Sequence, residues 1–332
     1  MPAINPRVLV DAILDAVQQS EYAGVLTSSV RVHPRRFVLT AADGTASSLW
    51  VYAWTLTFGG RQSLPDEYRI QMTTVASPLP LNPSGQTVLL GYEPTLRLFA
   101  GFDLRRHRTF TAGSPSVQVD IHAVRNALQF GLTFDRKSND EIAVGIRPDQ
   151  LINYALTSEF LHRYGTQPDT LQLLTQAATL QPMNAESIDA LTEPRRRIVA
   201  TVSRLSRSAN FRQQVLRAYD NRCAVTRIQL RLVDAAHIVP VGAPASTDHV
   251  TNGIALSPSY HRAYDNGLIF LDENYDMRIN PAKMAHLAAL QQDGGIDDFR
   301  CPLGRILLPQ DNAQWPHPQI IRRANVLRLI GS

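Results

Sequence analysis

The sequence predicts an α+β protein in two parts: a mainly antiparallel sheet domain with helices over residues 1–165, and an arginine-rich domain over residues 193–332. A linker at 166–192 joins them. Three observations predict this. A chain of 332 residues exceeds one small core and suits two domains of ordinary size. With 44% apolar and 19% charged residues, the composition is globular and far from that of disorder. From Glu193 onward the pattern of short β-rich runs gives way to a basic stretch.

Taken in order, residues 5–20 place Val8, Leu9, Ile13, Leu14 and Val17 at helical spacing and predict an amphipathic helix. Strand-like runs follow at 30–39, 48–58, 67–75, 87–93 and 96–103. Each is short, rich in β-branched and aromatic residues, and bounded by Gly, Pro, Asp or Ser, as in an antiparallel meander. Residues 119–131 read as a helix stopped by Gly131, 141–146 as a further strand, and 148–165 as a helix that starts on Pro148 and Asp149. The linker carries some helix. Between 193 and 236 stand ten arginines against Glu193, Asp220 and Asp234, the most basic stretch of the chain. Such a block is often only a solvated face, but phosphate contact is the favoured expectation here, with Arg212 as a candidate DNA-binding residue.

Composition narrows the function classes. There is no run of 18 apolar residues, and the first 21 residues lack the apolar centre of a secretory signal, which predicts a cytoplasmic protein with no membrane partner. Cys223 and Cys301 are the only cysteines, too few for a disulfide framework or a four-cysteine zinc site, so no structural zinc is expected. Among 33 basic residues only Lys137 and Lys283 are lysines. Arginine suits bidentate contact with phosphate and guanine, although a GC-rich genome gives the same bias.

The chemistry is concentrated in residues 210–280. There, AAHIVP holds His237, TNGIAL holds Asn252, and SYHRAYDNG holds His261 and Asp265, at spacings of 15, 9 and 4. Residues four apart on a helix lie on one face, so His261 and Asp265 can converge on a single ion. A lone histidine is usually a satisfied core residue, an Asn-Gly pair usually a turn, and a helical His/Asp pair usually a surface contact. Their joint occurrence outweighs those separate readings.

This constellation resembles the HNH (ββα-metal) nuclease family, at spacings similar to those of bacteriocin-type HNH DNases. The resemblance implies a C-terminal ββα-metal domain that hydrolyses phosphodiesters in double-stranded DNA with one divalent ion, Mg²⁺ first, with Mn²⁺ or Ni²⁺ as alternatives. It implies His237 as general base, a role that suits an imidazole of unperturbed pKa near 6.5. It also implies Asn252 as a group that steadies the base through backbone or imidazole, and His261 with Asp265 as metal ligands.

Three departures from the family pattern bear on this. Ala236 stands where many relatives place a ligand just before the base. Asp234 could replace it, but strand alternation puts it on the face opposite His237. CxxC pairs are lacking, so Cys223 is expected in the core, and Arg227 stands where the family often has Gly.

The domain over 1–165 is expected to recognise DNA, as in restriction enzymes that join a modified-base reader to an HNH module. Arg105 and Arg106 lie in its likeliest DNA-contacting loop, which a solvated loop rivals. Trp50, Tyr52 and Trp54 share one strand face and read better as core than as a base-stacking platform. A PD-(D/E)xK nuclease is excluded because the Glu141 run has no Lys two residues on. The sequence therefore favours a restriction-type endonuclease, modification- or sequence-dependent, acting as a homodimer where both strands are cut. The alternative is a DNA-binding protein with a degenerate, non-catalytic HNH fold.

Overall fold

The computed structural model describes residues 4–111, 113, 115–244 and 246–330. The chain divides into two compact units, Met1–Ser206 and Arg207–Ser332.

The first unit opens with α1 (Pro6–Gln19), β1 (Ala23–Leu26), β2 (Arg35–Thr40), β3 (Ala46–Thr55), β4 (Thr57–Phe58) and β5 (Glu67–Gln71). It continues with β6 (Gln86–Glu93), β7 (Leu98–Phe102), α2 (Leu104–His107), β8 (Ser116–Asp120), α3 (Ile121–Phe130), β9 (Leu132–Arg136) and β10 (Ile142–Ile146). Then come α4 (Leu151–Tyr164), α5 (Pro168–Ala178), α6 (Ala185–Asp189) and the long α7 (Glu193–Ala218).

Seven strands form one sheet in the order β1-β2-β3-β6-β7-β10-β9. All neighbours are antiparallel except β3 and β6, which run parallel with Tyr52 opposite Leu89. The expected meander is thus a mixed sheet. The chain between those two strands is long enough to return to the same end, which a parallel pair requires, and on the way β4 and β5 join β8 in a second, three-stranded sheet. Alternation along β3 sends Val51 and Ala53 into a core shared with α1, α4, α5 and the first half of α7, through Ile13, Ile152, Leu174 and Ile198. Tyr52 enters the opposite core, against Val124 of α3 and Ile70 of β5, with Trp54 packed beside it.

Residues 166–192 are therefore not a bare linker. Leu173, Leu174, Ala177 and Ala178 of α5 are buried in the sheet core, and Arg195 of α7 pairs with Asp169. The division between units falls inside α7, because Ile198, Val199 and Val202 face the first core whereas Phe211 and Val215 face the second. Part of the basic stretch is also spent internally: Arg196 bonds the Leu191 carbonyl and Arg197 pairs with Glu193.

The second unit contains β11 (Asp234–His237), β12 (Gly253–Leu256), α8 (Pro258–Asp265), β13 (Ile269–Leu271), β14 (Asp276–Ile279), α9 (Pro281–Ala289), α10 (Ile296–Arg300), β15 (Gly304–Arg305) and α11 (Pro318–Leu327). β11 and β12 form an antiparallel pair, and β13, β14 and β15 a small sheet. Cys223 is fully buried with Ile254, Leu256 and Tyr264, as expected of a core cysteine, whereas Cys301 is exposed. Arg227 has φ +64°, the left-handed region that favours glycine, so the departure at that position carries a backbone penalty. Among the described residues no helix is long and apolar enough to cross a membrane.

Candidate active site

The antiparallel hairpin and the helix after it set the site. β11 pairs with β12 so that Asp234 lies opposite Leu256 and His237 opposite Gly253. Gly253 answers a need for close approach: a Cβ there would fall 2.2 Å from Val215 Cγ2 and 3.0 Å from the Phe211 ring. With no side chain at that point, the second half of α7 can lie against the hairpin. Phe211 then stacks on the His237 imidazole, with ring centres 3.8 Å apart and planes 17° from parallel.

The edge of the same imidazole meets a residue from the connecting loop. His237 Nε2 lies 3.1 Å from Asp248 Oδ1. The ring is largely covered and the carboxylate partly open to solvent, at 16% and 42% exposure. Face and edge are both held, which fixes the ring in plane and in rotation.

Asn252, fully buried, does not touch the ring in any described contact. Its Oδ1 accepts from the Val239 N–H at 2.8 Å, and its Nδ2 donates to the Thr247 carbonyl at 2.9 Å. The Ile238 N–H donates to its carbonyl at 2.8 Å. Of the two contacts open to Asn252, backbone or imidazole, the structure has the backbone one. Asn252 clamps both ends of the loop that carries Asp248.

α8 begins after Ser257 with Pro258 in its first turn, as the fixed φ of proline favours. One turn apart on its surface, His261 and Asp265 meet, with Nε2 3.3 Å from Asp265 Oδ2. The other ring nitrogen, Nδ1, lies 3.6 Å from Asp234 Oδ2 on β11. Asp234 thus reaches α8 from β11, while Ala236 is buried in the core. Asp234 and His237 stand at the two ends of this four-residue strand.

Arg328, following α11, ties these pieces together. Its Nη1 donates to the Ile238 carbonyl, 2.6 Å away, and its guanidinium lies 4.3 Å over the Tyr264 ring of α8. Arg212 Nη2 donates to the Val233 carbonyl at 3.3 Å, just before Asp234, so at least part of that guanidinium serves the strand. Arg105 and Arg106 stand on α2 of the first unit, where Arg105 pairs with Asp103 and Arg106 bonds the Asn139 carbonyl.

Oxygen and imidazole donors of this kind suit Mg²⁺, Mn²⁺ or Ni²⁺, so the donor chemistry of Asp234, His261 and Asp265 fits a divalent ion. Their present directions are those of an ion pair: the carboxylates address opposite ring nitrogens, and among the described residues no three His, Cys, Asp or Glu side chains converge on one point. A metal-bound imidazole uses one nitrogen and commonly donates its other N–H to a carboxylate. One of the two aspartates therefore fits a ligand, and the other a partner that orients the ring.

Sequence reasoning missed Asp248 and Phe211. Asp248 lies eleven residues from His237 with no motif around it, and Phe211 sits in a stretch notable only for its arginines.

Comparison with known proteins agrees with the resemblance of the motif. Residues 223–272 match the family model described as HNH endonuclease, and residues 47–155 the model described as Methylase-associated X1. No curated protein matches. Among solved structures, a modification-dependent TagI restriction endonuclease is similar over 87% of this chain and 84% of that one, at 12% identity. The TM-score of that match is 0.28.

Proposed function

We propose that this chain, which carries an HNH endonuclease domain at residues 223–272, is a metal-dependent DNA endonuclease of restriction type, with His237 as general base. The observation that carries the proposal is the pairing, on one short strand, of a histidine held on face and edge with an aspartate that meets the His261 and Asp265 pair. It accounts for every residue of the motif and for the loop between them.

In this reading Asp248 accepts the Nε2–H of His237, which leaves Nδ1 without its proton and able to take one from an attacking water. The imidazolium formed as the water attacks phosphorus is stabilised by the same carboxylate, whose hydrogen bond becomes charge-assisted. Phe211 prevents the ring from tipping out of line, and Asn252 acts one step back by holding the loop. His261 and one of Asp234 and Asp265 would hold one divalent ion while the other aspartate orients the ring, and the ion would supply Lewis-acid charge at the scissile phosphate. Arg212, which bonds the strand at Val233, is a candidate phosphate contact. The first unit, with Arg105 and Arg106, serves as the DNA-recognition part. A single site of this kind cuts one strand, so a double-strand break calls for two chains, most simply as a homodimer.

The test is plasmid nicking with Mg²⁺, Mn²⁺ or Ni²⁺ on unmodified, methylated, hydroxymethylated and phosphorothioated DNA, comparing the parent chain with His237→Ala. Metal-dependent nicking lost in His237→Ala supports the proposal. DNA binding without cleavage on any of these substrates refutes it and favours a non-catalytic DNA-binding HNH fold.

A further inference from the structure

The first unit holds a cavity of about 230 Å³ where β6 begins and β7 ends, beside α2 and α4. This is smaller than the roughly 300–1,000 Å³ of sites for drug-sized ligands, and suits one flat ring system. Phe102, Asp103 and Asn82 line it together with Tyr154, Ser158 and His162 of α4. Arg105 also lines it, and its half-exposed guanidinium reaches the Glu159 carbonyl across the gap from α2 to α4.

The hydrogen bonds already made determine what the walls can still offer. His162 is buried, and burial pushes its pKa down to about 4, so the ring is neutral at pH 7. Its Nδ1 lies 3.1 Å from the Ile142 carbonyl, which only accepts, so Nδ1 carries the hydrogen. Nε2 therefore accepts from the Tyr154 hydroxyl 2.8 Å away, and burial holds that phenol well above its ordinary pKa. Tyr154 has spent its only proton and keeps its oxygen lone pairs. Ser158 donates to the Ala155 carbonyl and is left in the same condition. Asn82 spends its amide hydrogens on Ser48, and the buried Asp103 carboxylate accepts from the Arg105 N–H. These walls offer hydrogen-bond acceptors and two aromatic rings, with a guanidinium alongside, and Gln86 and Thr87 also line the cavity.

We propose that this cavity receives one DNA base turned out of the duplex, of the class that carries an exocyclic amino group, with Arg105 against the neighbouring phosphate. An amino group supplies the donors that an acceptor-lined site demands, whereas thymine presents two carbonyls and a single N–H. A mismatch between donor and acceptor inside a buried site leaves polar groups unpaired, which is a strong source of discrimination. The proposal rests on the reading of the chain as a DNA enzyme, and it gives the first unit a reading function that the nuclease motif does not supply.

The test uses the full chain carrying His237→Ala, so that DNA is bound without being cut, and fluorescence anisotropy with short duplexes. A mismatched base is already partly unstacked, so turning it out is easier. A central A·C mismatch should bind roughly tenfold more tightly than the matched duplex, equivalent to about 1.4 kcal/mol, and a T·T mismatch should gain nothing. Ser158→Met, which fills the cavity, and Asp103→Asn, which retains a capping oxygen but adds a donor, should each erase the A·C gain measured against the matched duplex in the same folded variant. If Ser158→Met fails to fold, Asp103→Asn decides alone. Equal gain for T·T and A·C, a gain that survives in the folded variants, or no binding to any duplex overturns the proposal. A parent chain that shows the A·C preference yet never nicks DNA refutes the nuclease reading and leaves the base site standing. Nicking without the preference does the reverse.

Discussion

Replacing Asp248 with alanine should slow cleavage while leaving the fold intact. The carboxylate lies 3.1 Å from His237 Nε2, and its side chain is 42% exposed. A hydrogen bond to a charged group contributes roughly 1.5–3 kcal/mol, and solvent at this exposure brings it toward the low end. With His237 as the proposed base, the ring would become cationic in the transition state, so the bond would strengthen there and its loss would fall on kcat. A loss of about 1–2 kcal/mol corresponds to a rate reduced roughly 5- to 30-fold. The assay is single-turnover nicking of plasmid at saturating metal, together with thermal unfolding followed by circular dichroism. Since His237→Ala removes the same function, the double variant should be no slower than His237→Ala alone. Full activity in Asp248→Ala, or a loss that simply tracks a lowered melting temperature, would refute the assignment of Asp248 as the group that orients the base.

Gly253→Ala should destabilise the second unit by about 1–3 kcal/mol through overpacking against Val215, and should also lower kcat because the Phe211 stack on His237 is displaced, as denaturant titration and nicking would report. Arg227→Gly should raise stability by about 1 kcal/mol, since φ +64° strains a side chain that has no such need, and an unchanged urea midpoint would count against this. Alanine at Asp234 and at Asp265 should act unequally: the direct ligand should raise the metal concentration needed for activity far more than the ring-orienting partner, whose loss weakens binding by roughly 10- to 100-fold. Acid should loosen the first unit before the second. Burial keeps His33 and His162 neutral, with pKa values lowered to about 3 and about 4 from 6.5, so the unfolded chain binds protons that the folded one refuses. Their contribution is complete above pH 6.5 and is lost as pH falls toward 3. Glu141 adds to this at lower pH: although its burial alone would raise its pKa, the His107 and Lys137 contacts bring it down to about 2 from 4.5, so its stabilisation is lost as pH falls from 4.5 toward 2. Unit-resolved hydrogen exchange between pH 7 and 4 would check the order.

Local features were the most legible in the sequence. The spacing of Leu9, Ile13 and Val17 marks α1 within a residue at each end, and the β-branched runs mark β3, β6, β7 and β10. β1, β8 and β9 were missed because Ala23–Leu26 and Leu132–Arg136 are short edge strands with little alternation, and Ser116–Asp120 runs directly into α3. The parallel pairing of β3 with β6 is a fact of crossover, which no local pattern encodes. At the site, the helical spacing of His261 and Asp265 was enough to bring them together. The partners of His237 were not visible, because Phe211 precedes it by 26 residues and Asp248 follows by eleven, and only folding places both on one ring. Ala178 and its neighbours looked like linker because α5 is weakly charged, a composition that burial explains equally well.

The reach of Arg328 back to the Ile238 carbonyl and the Tyr264 ring has a consequence for a protein that would cut DNA in the cell that makes it. The hairpin and α8 are synthesised well before this arginine, yet until it and the buried Ile321 and Ala324 have left the ribosome the strand end beside His237 lacks its anchor. Chain order then bears on the proposed site: the strand end beside His237 gains this anchor only after the whole first unit has been synthesised.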